Sequence, residues 1–372
     1  MPAPLLGPVS LARVAIGFHT DWRRAVEKAT GALAGSAPDL VLAFCDSSFA
    51  SELPAVAEQI WRTLGAPLVF GASGSGVIAD SDEYERQPGV VLLAVSLPGA
   101  ILSPVRLNTL LFEGPTDPES WRRRIGVLPT DVHGWIVLAS PFRFDLDTAL
   151  GTIRAAYPAV PIVGGIASPD PLSRQSALIL NGEALYDGAI ALGIGGPYHL
   201  ITALSQGADP IGQPWTITAV DGDWIVEIGG RPAVTVLERT MLDMPDELRI
   251  RTHRNLLIGL ALDEYRAEHR RGDFLIRGIA GIEQASGAIA VGAPVRVGQT
   301  VQFQIRNPAV ADLDLTSCLN DLRMRLAGVR PAFGVGFSGY ERGLDLFGRP
   351  NHDAGAIQKR LPGVPFAGLS TA

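Results

Sequence analysis

The apolar positions of this chain fall in short continuous runs that close on small polar residues. "DLVLAFCDSS" (from Asp39) is the first, and an uninterrupted run of this length suits a strand buried on both faces. A helix-like segment follows, "SELPAVAEQIWRTLG", and then "APLVFGAS". The order recurs as "HGWIVLASPF" (from His133), "DTALGTIRAAYPA" and "VPIVGGIAS", and again as "FGVGFSGYERG" (from Phe333), "DAGAIQKRLPG" and "VPFAGLS". Each set reads as strand, small-polar loop, helix, Pro-x-x and glycine turn. The interval from strand end to proline is 22 residues (Cys45 to Pro67), 21 (Ser140 to Pro161) and 27 (Ser338 to Pro365). A longer loop, "YERGLDLFGRPN", accounts for the excess in the third set. Such units predict parallel strand pairs with right-handed crossovers. The three strand ends are spaced by 95 and then 198 residues, which leaves room for a degenerate unit near 235–260.

Between these units the pattern changes. "PGVVLLAVSLPGAILSPVRL" (from Pro88) and "GAIALGIGGPYHLITALSQG" (from Gly188) predict extended segments without a helix. "WTITAVDGDWIVEIGGRPA" (from Trp215) nearly alternates on both sides of Asp221-Gly222, a pair suited to a tight hairpin turn. A second hairpin is predicted at Ala285-Ser286-Gly287, and helices over Ala233–Leu242 and Ala309–Leu326. The expected fold class is therefore α/β (mixed α+β). It has internally repeated strand-loop-helix-strand units, mixed sheets covered by helices, and added antiparallel hairpins.

Composition narrows the function classes. A chain of 372 residues, 47% apolar and 19% charged, can bury a substantial core in one large domain or two. Its 42 Gly and 28 Pro exceed the usual combined share of about 12% and imply many sharp turns. Net charge is −7, and the longest basic run, "WRRRIG" from Trp121, reads as a solvated helix face. Nucleic acid needs a concentrated basic face, so it is not an expected partner. Two cysteines, Cys45 and Cys318, are too few for a disulfide framework or a cysteine-built metal site. With no apolar run of 18 residues and no leader-like N-terminus, no membrane association is expected, and the expected location is cytoplasmic.

The glycine-rich stretch "GASGSGVIAD", residues 71–80, invites three catalytic templates. Gly74 to Ala79 formally fits Gly-x-Gly-x-x-Gly/Ala, but the acidic "DSDEYERQPG" follows where a phosphate-facing helix should start. Gly71-Ala72-Ser73-Gly74-Ser75 misses the last glycine of a nucleophile elbow, and no Gly-Lys-Ser/Thr exists for a Walker loop. Cys45 reads as a small buried cysteine or, alternatively, as a nucleophile, although His19, His133, His199, His253, His269 and His352 are scattered. Asn351-His352-Asp353 is the densest ligand-like cluster, with helix N-capping as the competing role. Ligands of α/β sheets collect beyond the carboxyl ends of strands. That places Cys45 to Ser47, Ser140 to Phe142 and Ser338 to Arg342 at candidate loops, with glycine turns at 71–76, 164–168 and 368–370. The candidate ligand-binding residues are Cys45, Ser47, Ser73, Ser75, Ser140, Phe142, Gly164, Gly165, Ser338, Arg342 and Asn351. No catalytic residue and no metal are expected.

Several of these stretches also carry a family resemblance. "PDLVLAFC", "FGASGSGVI", "VPIVGGIAS", "GQPWTITAVDGDWIVEIGGRPA", "RNLLIG", "GAIAVGAPVRVGQTVQFQIRN" and "ERGLDLFGRPNHDAGAIQKRLPGVPFAG" occur in order from about residue 38 onward. In this ordered set the chain resembles the FIST proteins, sensory modules with an N-terminal and a C-terminal part. The resemblance implies an N-part over 1–229 and a C-part over 230–372, and a non-catalytic module binding a small ligand, with amino acids as the suggested class. It further implies signalling partners on separate chains, such as kinases or methyl-accepting proteins. Two alternatives stay open: a haem-binding gas sensor, with His352 or His199 as axial candidates, and an enzyme using Cys45 or a serine. A pure interaction scaffold is a further reading. The sequence departs from the family pattern at Gly339, where a cysteine is common, and at "GLSTA", where a Gly-Glu-Ile is expected and a trimmed C-part is implied.

Overall fold

The structure, a computed structural model, describes residues 11–115, 117–142, 144–244, 256–264, 266, 269, 272–339 and 341–371. His253, Ala372 and the middle of the 235–260 stretch lie outside them. The chain divides into two compact units, with breaks at Ala203/Leu204 and Cys318/Leu319, so that residues from 319 onward belong with those before 204.

The first unit contains three sheets. The largest runs in the order Leu11–Phe18, Gly89–Ser96, Leu40–Asp46, Leu68–Gly74, Leu178–Leu180, Glu183–Leu185. A second runs Ile101–Leu107, Ala189–Gly195, Gly134–Ala139, Ile162–Ile166, and a third Gly334–Gly339, Phe366–Thr371, Gly76–Ala79, Asp82–Glu85. Each sheet holds one parallel pair, Leu40–Asp46 with Leu68–Gly74, Gly134–Ala139 with Ile162–Ile166, and Gly334–Gly339 with Phe366–Thr371. The other pairings are antiparallel, so the architecture is mixed α+β with mixed sheets.

Burial on both faces explains the continuous apolar runs. Leu40, Leu42 and Phe44 point into a central core shared with the other two sheets. Val41, Ala43 and Cys45 point the opposite way, against the helices Trp22–Gly31 and Leu53–Leu64. The helices Pro118–Ile125 and Leu146–Ala156 cover the second sheet, burying Trp121, Ile153 and Ala156. The helix His352–Arg360 lays Ala354 against Ile78 and Phe366 of the third. Helix ends follow sequence chemistry: Pro54 opens Leu53–Leu64, and Gly65 closes it at φ 60°.

The second unit is an antiparallel sheet in the order Ala208–Pro210, Thr300–Arg306, Trp215–Asp221, Trp224–Ile228, Ala288–Val291, Phe274–Glu283, Leu256–Ala261. Thr300–Arg306 also pairs with Leu256–Ala261, so the ladder closes on itself. Its core holds Ile217, Ile225, Ile258 and Phe303, with Val236 and Leu237 from the helix Ala233–Leu242. The first hairpin turns at Gly222-Asp223, one residue later than expected, because Asp221 pairs directly with Trp224. The second turns through residues 284–287, where Gly287 takes φ 73° and Glu283 pairs with Ala288, and the last expected helix runs Pro308–Leu326.

One expectation fails here. The glycines expected in turns at 71–76, 164–168 and 368–370 lie inside strands. Gly71, Gly164 and Gly368 stand in register with Ala43, Val137 and Gly336 of their parallel neighbours. A Cβ at these positions would lie 1.7, 1.7 and 2.4 Å from the carbonyl oxygen of that register partner. Close strand approach, not a positive φ, requires glycine at all three. Only Ser75 breaks the course from Leu68–Gly74 to Gly76–Ala79, where the chain leaves one sheet for another. The strand Gly76–Ala79 stands where a dinucleotide loop would need a helix.

Gly71→Ala and Gly164→Ala are each expected to lower stability by at least about 2 kcal/mol, since the obstructing atom is backbone. Gly278→Ala, with open space around its Cβ position, is expected to stay within about 0.5 kcal/mol of the parent. Urea denaturation followed by circular dichroism checks all three.

Candidate functional site

The parallel pairs bring strand ends together and thereby gather small hydroxyl side chains. Cys45 is in register with Ser73, and Ser338 with Ser370. Ser73 is fully buried and stitched to the segment after Ile162–Ile166: its N–H donates to the Ala177 carbonyl at 2.9 Å, and its Oγ accepts from the Ala177 N–H at 3.0 Å. The Ser73 Oγ also donates to the Ser168 carbonyl at 3.4 Å. Ser75 and Ser168 both turn to Ser370. The Ser370 carbonyl accepts from the Ser75 N–H at 3.0 Å, the Ser75 Oγ at 3.3 Å and the Ser168 Oγ at 3.1 Å. The Thr371 Oγ1 donates to the Ser338 carbonyl at 3.2 Å. A Cβ on Gly165 would come within 2.4 Å of Thr371 Cγ2 and 3.1 Å of Phe337. Ser73, Ser75, Gly165 and Ser338 therefore share one locus, completed by Ser168, Ser370 and Thr371. Sequence reasoning did not single out those last three. The signal for Ser168 and Ser370 was the serine that follows a strand glycine, in "GIAS" and "GLS", as Ser73 does in "GAS"; Thr371 carried no such signal.

Other expected residues serve separate local structures. The Ser140 Oγ donates to the Tyr186 carbonyl at 3.1 Å and accepts from the Phe142 N–H at 3.3 Å, leaving the Phe142 ring exposed. Gly164 serves strand approach. Ser47 is buried at the start of a 3-10 turn capped by Asp46, whose Oδ1 accepts from the Ser48 N–H at 3.0 Å. Burial, with Asp170 nearby, raises the Asp46 carboxyl above its usual range despite its hydrogen bonds from Ser48. Cys45 faces the helix layer, and burial pushes its thiol up to about 12, which leaves almost no thiolate at neutral pH.

Arg342 and Asn351 build a second cluster on the acidic strand Asp82–Glu85. Arg342 donates through Nε and Nη2 to Asp353, both side chains being almost enclosed. Asp353 Oδ1 also lies 2.8 Å from His352 Nδ1, and the His352 ring stacks on Phe347 at 3.5 Å. Asn351 sits at the helix N-cap position, but at φ 60° its side chain makes no capping bond. It braces the strand instead, accepting from the Glu83 N–H at 2.7 Å and donating to Asp82 at 2.9 Å. Glu83 supplies the cap: its Oε1 accepts from the Asp353 and Ala354 N–H groups at 3.1 and 2.9 Å. Burial nevertheless raises the Glu83 carboxyl above its usual range. The two clusters adjoin through Gly76, which is in register with both Ser370 and Glu85. Glu85 in turn accepts from the Leu344 N–H at 2.8 Å.

Of the two haem candidates, His352 does not fit its surroundings. The His352 side chain is 2% exposed, so a macrocycle has no access to it without moving the helix. His199 stacks on His133 with ring centres 4.4 Å apart. Among the described residues no group of three His, Cys, Asp or Glu side chains could hold a metal ion, and no helix is long and apolar enough to cross a membrane.

Comparison with known proteins matches residues 39–231 to the FIST N domain and residues 233–372 to the FIST C domain. An uncharacterized protein of Mycobacterium tuberculosis is 32% identical over 371 residues, covering 97% of this chain and 94% of its own length. An uncharacterized protein of Mycobacterium bovis is 30% identical over 367 residues, covering 97% of this chain and 93% of its own.

In a Cys318→Ser variant, Cys45 is expected to resist Ellman's reagent at pH 8 until guanidinium unfolds the protein. Rapid stoichiometric labelling of the native variant would contradict the burial argument and restore Cys45 as a nucleophile.

Proposed function

The chain belongs to the FIST family, and we propose that it is a non-catalytic sensory module binding a small polar ligand of the amino-acid class. FIST domains are associated with sensory roles in signal transduction. The proposed site is the hydroxyl locus formed by Ser75, Ser168, Ser338 and Ser370, with Gly165 keeping it free of side-chain bulk.

One observation carries this reading. The Ser370 carbonyl has two lone pairs, yet three donors approach it. One hydroxyl can therefore rotate toward a ligand carboxylate while the carbonyl stays satisfied. That exchange costs little, whereas stripping a buried carbonyl of its last donor costs about 1–3 kcal/mol. Ser75, Ser338 and Ser370 are partly exposed, so the locus has a route to solvent. Arg342, held by Asp353, positions the loop that carries Gly343 and Leu344 over Glu85. Signal output in this reading passes to a kinase or methyl-accepting protein on a separate chain.

Calorimetric titration with the twenty amino acids and short carboxylates tests the proposal. Saturable binding of at least one is expected, weakened about 5-fold or more in Ser75→Ala, the equivalent of one hydrogen bond. Failure of every compound to bind, or unchanged affinity in both Ser75→Ala and Ser168→Ala, would overturn it.

A further inference from the structure

A different part of the first unit holds an open groove. The helix Pro308–Leu326 ends in a turn through Gly328 at φ 84°, and the helix His352–Arg360 ends in a turn through Gly363 at φ 68°. An open groove of about 340 Å³ lies among residues of these two ends. Arg323, Arg330 and Arg360 line it together with the apolar Leu326, Val329 and Leu361, and among the described residues no Asp or Glu does. Val329 is 69% exposed, so its side chain is open to a partner.

Helix dipoles account for part of this. Arg323 and Arg360 sit in last turns, where a cation complements the negative helix end. They do not account for a third guanidinium, Arg330, arriving from a loop. Nor do they account for three cations gathering on one groove of a chain whose net charge is −7. The charges differ in availability. Arg330 donates to the Gly363 carbonyl at 2.6 Å and so braces the two turns, and Arg360 reaches Asn320 and Ala356. Arg323 is exposed and holds no ion pair among the described residues.

We propose that this groove docks an acidic peptide segment of a partner protein, one that sets leucine-like side chains beside its carboxylates. Planar guanidinium forks match carboxylates, and the exposed valine between them supplies the apolar anchor. An open groove suits an extended segment better than a small molecule, which needs enclosure to bury most of its surface. The surface shares no residue with the hydroxyl locus and does not depend on that reading.

Fluorescence anisotropy with a fluorescein-labelled Glu-Glu-Leu-Leu-Glu-Glu peptide tests the assignment. Saturable, salt-weakened binding is expected. It should fall about 10-fold or more in an Arg323→Glu/Arg330→Glu double variant of unchanged circular dichroism, and stay unchanged in Ser75→Ala. Three results would overturn it: no saturable binding, equal binding of Glu-Glu-Ser-Ser-Glu-Glu, or displacement by millimolar inorganic phosphate. The last would mark a small-anion site instead.

Discussion

The strand Phe366–Thr371 is held on both sides, by Gly334–Gly339 in parallel and by Gly76–Ala79 antiparallel, and the rest of the first unit follows from that position. Its insertion joins residues nearly three hundred positions apart in sequence and places the Ser370 carbonyl within reach of Ser75 and Ser168. It also sets Thr371 against Gly165. The matched family segments divide the chain near residue 232, whereas the compact units divide it after 203 and 318. The difference runs both ways: residues from 319 onward, this strand and its parallel neighbour among them, belong in sequence to the C-terminal segment and in packing to the first unit, whereas residues 204–231 belong in sequence to the N-terminal segment and in packing to the second.

Two kinds of polar group surround the strand, and they do different work. The hydroxyls are neutral, can donate or accept, and can exchange partners at low cost. The Arg342–Asp353 pair with His352 is enclosed, and breaking such a pair from one side costs about 3–5 kcal/mol. The first group suits recognition and the second suits holding a loop in place. Arginines therefore play two roles in this unit: Arg342 is spent internally, while Arg323 faces outward from a groove that no acid lines among the described residues.

Much of the fold was legible in local pattern. The apolar runs at Leu40, Gly134 and Gly334 became strands, the helices between them formed, and parallel pairing followed from the short crossovers. The glycines were read as turns because local sequence reports a glycine's freedom but not its neighbours. Gly71 and Gly164 are fixed by a carbonyl 1.7 Å from a would-be Cβ on the adjacent strand, a tertiary fact. The same limit governs the site. Ser73, Ser75 and Ser338 were visible as small polar residues at strand ends, but their meeting with Ser168 and Ser370 depends on which strand ends adjoin. Asn351 misled for a related reason: a capping residue type stood at a cap position while Glu83, from a distant strand, filled the cap.

Native-state hydrogen exchange, read by mass spectrometry on peptides spanning 76–79 and 366–371, addresses the central constraint most directly. If the inserted strand holds the unit together, the two segments open in one cooperative event with equal protection, and Ser75 loses protection with them. Exchange of 366–371 while 76–79 stays protected would contradict the account.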